Sequence, residues 1–302
     1  MKSRDYHFFY DSLHSFDDVK ALSKKHHVSC GILACILNQK IVEDVKRTHQ
    51  QFKSREENIV REWNNGKTFL EISQRYKHPP TLVSTLILQN TGCKKKEIAQ
   101  YYKDTASIPN PRLRQELTES LSADYFFSPQ AHKLQEEKGK IGENIISLWL
   151  KKKGYDYIGE NELRSIGGDG KTPDFLLKKP FCLNEIDFNN SNDIDIGNSD
   201  NIDFDNSDDI DFADSDETKK LKIHWIESKA LFGETKAHKN YEKKQFLEYS
   251  DRYGPGLVVY WYGFETDILK EKKSGYYITD YSFFKRDFPD AVEQILNFMV
   301  YW

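Results

Sequence analysis

The sequence predicts an α + α/β chain, with an all-helical N-terminal domain of helix-turn-helix-like units followed by a domain whose strands carry carboxylates. Three observations predict this. Through the first 125 or so residues, apolar positions recur at three- and four-residue spacing, the period of a helix with one buried face. Later, short apolar runs such as Phe175-Leu176-Leu177, Ile223-His224-Trp225-Ile226 and Leu257-Val258-Val259-Tyr260 read as strands between helical patterns. Finally, residues 184–217 depart from both patterns in composition. The chain has 302 residues, enough for two ordinary domains, expected at 1–127 and 128–302 with 184–217 as an insertion in the second.

Phe16, Val19 and Leu22, then Ile32, Leu33, Ile36 and Leu37, predict two helices over about 16–38, around a turn at His26-His27-Val28-Ser29. A second unit repeats the shape. Phe69, Leu70, Ile72 and Tyr76 mark one helix, Lys77-His78-Pro79-Pro80 a turn, and Leu82, Val83, Leu86 and Ile87 the next helix, which proline suits as a start. Both pairs are helix-turn-helix candidates, which would place a second helix in a DNA major groove. A compact bundle or a surface for a protein partner is the alternative, and residues 81–90 offer few base-reading donors. Lys94-Lys95-Lys96, Lys46-Arg47, Arg112 and Arg114 are candidates to meet a nucleic-acid backbone, or else form ordinary solvated faces.

A turn at Ile108-Pro109-Asn110-Pro111 precedes a helix over about 112–121. The next helix, over about 130–152, carries Leu134, Ile141, Ile145, Leu148 and Trp149 as one apolar stripe, with Glu143 away from its centre. Gly167-Gly168-Asp169-Gly170 lacks the phosphate-loop pattern and reads as a turn ahead of a strand that Pro173 opens. Residues 240–253 predict a helix with Phe246, Tyr249 and Tyr253 on one side. Residues 256–262 predict a strand apolar on both faces, as in a sheet covered by helices. An edge strand over 276–279 and an amphipathic helix with Val292, Ile295, Leu296 and Met299 close the chain.

No apolar run approaches the roughly 18–20 residues that span a bilayer, and Met1-Lys2-Ser3-Arg4-Asp5-Tyr6 lacks the apolar stretch of a secretory signal, so nucleus and cytoplasm are expected, without a membrane. Cys30, Cys35, Cys93 and Cys182 show no Cys-x-x-Cys spacing, which argues against a zinc knuckle or a disulfide framework. The net charge of −4 conceals a segregation. Residues 184–217 hold thirteen Asp or Glu and no Lys or Arg, so the rest of the chain carries +9, a balance compatible with binding phosphate backbones. Within that insertion Glu185-Ile186-Asp187-Phe188, Asp193-Ile194-Asp195-Ile196, Asn201-Ile202-Asp203-Phe204 and Asp209-Ile210-Asp211-Phe212 recur every eight residues. Such a polar repeat cannot bury enough apolar surface to offset its ordering entropy and is expected to be disordered. It contains no Asp-x-Asp-x-Asp-Gly loop with a distal glutamate, which disfavours calcium.

Two segments carry the chemistry. Lys171-Thr172-Pro173-Asp174-Phe175-Leu176-Leu177 leads a Pro-Asp into an apolar run, and Ile223-His224-Trp225-Ile226-Glu227-Ser228-Lys229 closes one with Glu-Ser-Lys. Residues two apart on a strand share a face, so Glu227 and Lys229 are presented together. If the Asp174 strand is their neighbour, two carboxylates and an ammonium converge, a set suited to a hard divalent cation, Mg²⁺ or Mn²⁺, and a phosphate. The insertion lies between these strands, where the cost of closing a longer loop grows only logarithmically.

This Pro-Asp…Glu-x-Lys spacing, with Arg252-Tyr253-Gly254-Pro255-Gly256-Leu257-Val258-Val259-Tyr260-Trp261-Tyr262-Gly263-Phe264 downstream, resembles the PD-(D/E)xK nuclease superfamily and, within it, the Thr-Pro-Asp (TPD) family. The resemblance is closest over residues 130–264 without the insertion. It implies a restriction-endonuclease-like or resolvase-like α/β/α core with a mixed central sheet, and a metal-dependent nuclease acting on nucleic acid, DNA foremost, including structured or branched forms. Asp174 and Glu227 would hold the cation, and Lys229 would position water or offset charge at phosphorus. Gly139-Lys140-Ile141-Gly142-Glu143 resembles the first-helix segment of resolvase-like members, which implies Glu143 as a third metal carboxylate. Some members place a glutamine of the helix after the Glu-x-Lys near the site, which implies that role for Gln245. Read without the resemblance, Glu143 is a solvated helix glutamate and Gln245 a polar surface residue. The family further implies a codanin-like protein partner, and the likeness to junction resolvases a homodimer. Two rival functions stay open: a nuclease-fold scaffold serving as a protein-binding module, and a helix-turn-helix DNA-binding regulator.

Overall fold

The structure, a computed structural model, describes residues 1–166, 170–184, 220–271, 273 and 275–298. The acidic repeat beyond Asn184, the turn at Gly167-Gly168-Asp169 and Met299 therefore lie outside the described residues. The chain forms two compact units, one of Asn38–Glu137 and the other of Met1–Leu37 with Lys138–Trp302. This division differs from the expected 1–127 and 128–302, because the first 37 residues pack with the sheet-bearing part. Tyr6 stacks on Phe232 with ring centroids 5.2 Å apart and planes 3° from parallel. Gly31 lies so close to the Leu296 carbonyl that no side chain fits.

Helices α1 (Ser3–Ser12), α2 (Phe16–His26) and α3 (Cys30–Lys53) open the chain. A capping box between Ser15 and Asp18 starts α2, and His27 in the left-handed region ends it. Helix α3 runs well past the expected end near residue 38, since neither Gly nor Pro interrupts residues 32–53.

In the unit of residues 38–137, α4 (Glu56–Asn64), α5 (Phe69–Tyr76), α6 (Pro80–Asn90), α7 (Lys95–Lys103) and α8 (Pro111–Ala123) surround a core of Phe52, Ile59, Phe69, Ile72, Val83, Ile87 and Leu117. Thr68 and Glu71 cap α5, and Lys77 makes the left-handed turn into α6. Helix α6 buries Thr81, Val83, Ser84, Leu86, Ile87 and Leu88, and α4, α5, α7 and α8 all pack on it. The corresponding stretch of α3, residues 31–38, is also buried throughout. Helices that give most of their surface to core packing have little left to read a groove. Arg112 and Arg114 are likewise engaged within this unit. Arg112 pairs with Glu116 at 2.6 Å and lies over the Trp63 ring, while Arg114 donates to the Ile108 carbonyl.

The other unit is built on a mixed five-stranded sheet, in the order β1 (Tyr157–Gly159), β2 (Phe175–Asn184), β3 (Lys220–Lys229), β4 (Gly256–Tyr260) and β5 (Tyr276–Asp280). The first three strands are antiparallel, and β3, β4 and β5 are parallel. Between β3 and β4 the chain crosses over through α11 (Thr235–Tyr241), a π-helical turn (Glu242–Phe246) and α12 (Leu247–Tyr253), as a parallel pair requires. Strand β4 is buried at every residue and β5 forms one edge. The β2–β3 ladder is regular near Phe175 and again beyond Phe181 but shifts between, around Pro180, which lacks a donor. Helix α9 (Pro129–Lys153) buries Ile145, Ile146, Trp149 and Leu150. Leu148, expected in its apolar stripe, is 51 % exposed, because the buried face turns through Ile146 and Leu150. Short helices α10 (Glu160–Ile166), α13 (Ile268–Glu271) and α14 (Ser282–Lys285), then α15 (Pro289–Asn297), complete the unit; Val292 and Ile295 are buried on α15 as expected. Among the described residues no helix is long and apolar enough to cross a membrane.

Gly256 sits opposite Trp225 in the β3–β4 register, with the fully buried indole where a Cβ would go. Gly256→Ala is expected to destabilise the protein by about 1–3 kcal/mol through overpacking. Gly139→Ala, with open space around it, should leave stability equal or up to about 1 kcal/mol higher by helix propensity. Denaturant titration of the two variants checks both outcomes.

Candidate active site

The register of β2 and β3 pairs Phe175 with Ile226 and so brings Asp174 opposite Glu227. At that point side chains replace part of the backbone ladder. The Asp174 N–H donates to Glu227 Oε2 at 3.3 Å, and the Ser228 N–H donates to Asp174 Oδ2 at 2.7 Å. The two carboxylates are thus interlocked across neighbouring strands. Glu227 is buried, and Asp174 is partly accessible.

Lys229 lies on the same strand face as Glu227 and donates to its Oε1 at 2.5 Å. The ammonium also donates to Gln245 Oε1 at 3.0 Å, and lies 4.7 Å from the Tyr241 ring centroid and 5.8 Å from that of Phe246. The Glu-x-Lys pair and Gln245 therefore come together across 16 residues of sequence.

Glu143 is on the exposed side of α9, one residue after Gly142. Gly142 lies against the Trp261 indole with no room for a Cβ, and the Trp261 Nε1–H donates to Ser228 Oγ at 2.9 Å. The glycine thus lets α9 press against Trp261, the residue after β4, with Glu143 next to the contact. Asp174 acts electrostatically on Glu143, yet among the described residues no three His, Cys, Asp or Glu side chains are gathered tightly enough to hold a metal ion.

Burial is the main cause that pushes the Glu227 carboxyl up to about 7; the Asp174 charge adds to it, and Lys229 opposes it. Asp174 is raised by burial as well, against the Ser228 N–H bond and Lys229. Partial desolvation, then Asp174 and Glu160, raise Glu143.

Several neighbours carry no sequence signal. The Glu160 N–H donates to the Asp174 carbonyl at 3.2 Å, and the Glu160 carboxylate raises both Asp174 and Glu143 while it pairs with Arg164 at 2.5 Å. Tyr249, expected only to share one side of its helix with Phe246 and Tyr253, donates to the Thr172 carbonyl at 2.9 Å and braces the Thr-Pro-Asp turn from α12.

The fold and site define a chain with a helical unit and a mixed-sheet unit whose central strands hold an Asp–Glu–Lys group with Glu227 buried between the other two. The chain belongs to the family described as "Protein of unknown function TPD sequence-motif", which matches residues 109–195 and 184–282. It is 28 % identical over 262 residues to the "CDAN1-interacting nuclease 1" proteins of Mus musculus and Homo sapiens, covering 81 % of this chain and 80 % of each of those. The Danio rerio protein of the same name is 23 % identical over 274 residues, 84 % of this chain and 78 % of that one. No solved structure matches the chain.

The Glu227 shift gives a prediction for the metal-free protein. The ordinary value is 4.5 and the folded value about 7, so between them the folded state binds more protons than the unfolded state. The contribution is thus fully present below about pH 4.5 and is lost as pH rises through 7. Thermal unfolding in EDTA should show a steeper loss of stability across this window in the wild type than in Glu227→Gln, whose side chain does not titrate.

Proposed function

We propose that this protein is a divalent-metal-dependent nuclease with a restriction-endonuclease-like or resolvase-like core, hydrolysing phosphodiesters of nucleic acid, with DNA as the substrate. The observation that carries the reading is the interlocked pair Asp174 and Glu227 with Lys229 held against it. Glu227 is buried and Asp174 partly so, burial raises the proton affinity of both, and the Asp174 charge raises that of Glu227 further, so a divalent cation would relieve the repulsion between them. Their oxygens are the hard donors that Mg²⁺ and Mn²⁺ prefer, so the residues fit such an ion. Asp174 and Glu227 would hold it, with Glu143 drawn in from α9. The relatives' name, nuclease, and the basic balance outside residues 184–217 support the same reading.

When bound, the cation supplies Lewis-acid stabilisation of charge on a phosphate group. The chain's own residues supply the rest. Lys229, already desolvated and 13 % exposed in its side chain, can turn one of its N–H groups from Glu227 to a phosphate oxygen as negative charge develops there. Gln245 holds the ammonium from the other side and limits where it can point. Ser228, fixed by Trp261, keeps the strand between Glu227 and Lys229 in place.

Because the relatives are named for an interaction with CDAN1, a codanin-like protein is the proposed partner, with nucleus and cytoplasm as the place of action. Groove reading by the N-terminal helices is not favoured, since α6 is occupied by core packing. The proposed homodimer is to be tested by sedimentation.

Two variants test the reading. Asp174→Asn and Lys229→Ala are each expected to lower Mg²⁺- or Mn²⁺-dependent cleavage of a panel of linear, flapped and branched DNAs by about 10²-fold or more. Mn²⁺ should raise the unfolding temperature of the wild type and not that of Asp174→Asn. Wild-type-like cleavage by either variant overturns the assignment.

A further inference from the structure

The sheet unit buries a second polar cluster that the metal-site reading does not use. His238 on α11 is 2 % exposed, and each ring nitrogen meets a tyrosine: Nδ1 lies 2.9 Å from the Tyr260 hydroxyl and Nε2 2.9 Å from the Tyr276 hydroxyl. Tyr276 in turn donates to Glu242 Oε1 at 2.5 Å, and the Lys273 N–H donates to the same oxygen at 2.8 Å. The acceptor at the end sets the direction of the chain. With the Tyr276 proton committed to Glu242, its oxygen accepts from His238 Nε2–H, and His238 Nδ1 then accepts from Tyr260. Four side chains from α11, the π-helical turn, β4 and β5 thus form one connected network, of the kind that fixes a unique arrangement when every member is satisfied.

The network ends on the first residue of the π-helical turn. The Leu247 N–H bonds back five residues to the Glu242 carbonyl. Such wide turns persist only where surrounding contacts over-determine them. Glu242 is held by the tyrosine and by the Lys273 N–H. Phe246, the last residue of the turn, is fully buried against Tyr276 and His238, with centroids 5.3 and 5.6 Å away. Gln245 lies between these two pinned residues and reaches Lys229. Tyr241, immediately before the turn, and Phe246 place their rings beside the same ammonium.

We propose that the Tyr260–His238–Tyr276–Glu242 network is a positioning device for Lys229. It holds the π-helical turn in the one arrangement that puts Gln245 Oε1 on the Lys229 ammonium, and His238, Tyr276 and Glu242 are positioning residues acting through Gln245. The effect on cleavage rests on the nuclease reading; the effect on Lys229 does not.

Tyr276→Phe, which deletes one hydroxyl and keeps the ring, tests this in two ways. In ¹⁵N-labelled full-length protein, the slowly exchanging ammonium resonance of Lys229, assigned by its loss in Lys229→Met, should broaden or shift in Tyr276→Phe as it does in Gln245→Ala. In single-turnover cleavage with saturating DNA, Tyr276→Phe and Gln245→Ala should each slow the chemical step by about tenfold with little change in DNA affinity, and the double variant should be no slower than either. An unchanged Lys229 resonance in Tyr276→Phe, or single-variant effects that multiply in the double, overturns the proposal. Should the wild type prove inactive on DNA, the nuclease reading fails, and the resonance alone still decides the positioning role. Should Tyr276→Phe not fold, Glu242→Gln, which keeps an oxygen acceptor, is expected to preserve the Lys229 signal and Glu242→Met to lose it; equal behaviour of the two overturns the proposal.

Discussion

Everything distinctive about the sheet unit depends on one exchange of hydrogen bonds, in which the Asp174 N–H binds the Glu227 carboxylate and the Ser228 N–H binds the Asp174 carboxylate. A backbone ladder would hold the strand ends together equally well. Putting two carboxylates into the ladder holds them while collecting negative charge in a place that burial makes unfavourable. Lys229 offsets part of that charge, and the rest remains as raised proton affinity at both acids. The strands are thus joined by groups whose preferred partner is a proton or a cation, and fold stability and site chemistry share the same atoms.

Around this exchange, each neighbouring element is tied in by a contact that tolerates little change. Helix α9 approaches through Gly142, whose missing side chain leaves room for Trp261, and Trp261 reaches on to Ser228. Helix α12 braces the Thr172 carbonyl through Tyr249. The entry to α10 meets the Asp174 carbonyl through the Glu160 N–H. Packing and hydrogen bonding from three sides leave the interlocked pair few ways to relax, which is how a charged pair of this kind is kept in place.

Legibility in the sequence followed the physics of each feature. The strands and the shared face of Glu227 and Lys229 were readable because a two-residue period and short apolar runs are local signals. That Asp174 faces Glu227 was readable only as a consequence of strand pairing, and Glu143 and Gln245 only through resemblance, since a single polar residue on a helix has no pattern of its own. Glu160 was missed because what brings it to the site is its backbone N–H. The core role of α6 could be read from its composition, whereas the use of Arg112 and Arg114 could not, because a guanidinium bound to a carboxylate or a carbonyl and one facing solvent look alike in sequence. The π-helical turn is equally silent, as nothing in Glu242-Lys243-Lys244-Gln245-Phe246 distinguishes it from an ordinary helical turn. Residues 1–37 joined the sheet unit through tertiary contacts such as Tyr6 on Phe232.

The β2–β3 pairing closes again at Asn184 opposite Lys220, seven residues along β3 from Glu227, or about 23 Å at the ~3.3 Å rise of a strand. With those two ends already registered, whatever connects them inherits a fixed and short gap. That makes the far end of the hairpin a docking port for protein engineering. A fluorescent domain or an affinity module with adjacent termini could replace the native connection, reporting on the strand pair while the carboxylates at its other end keep their geometry.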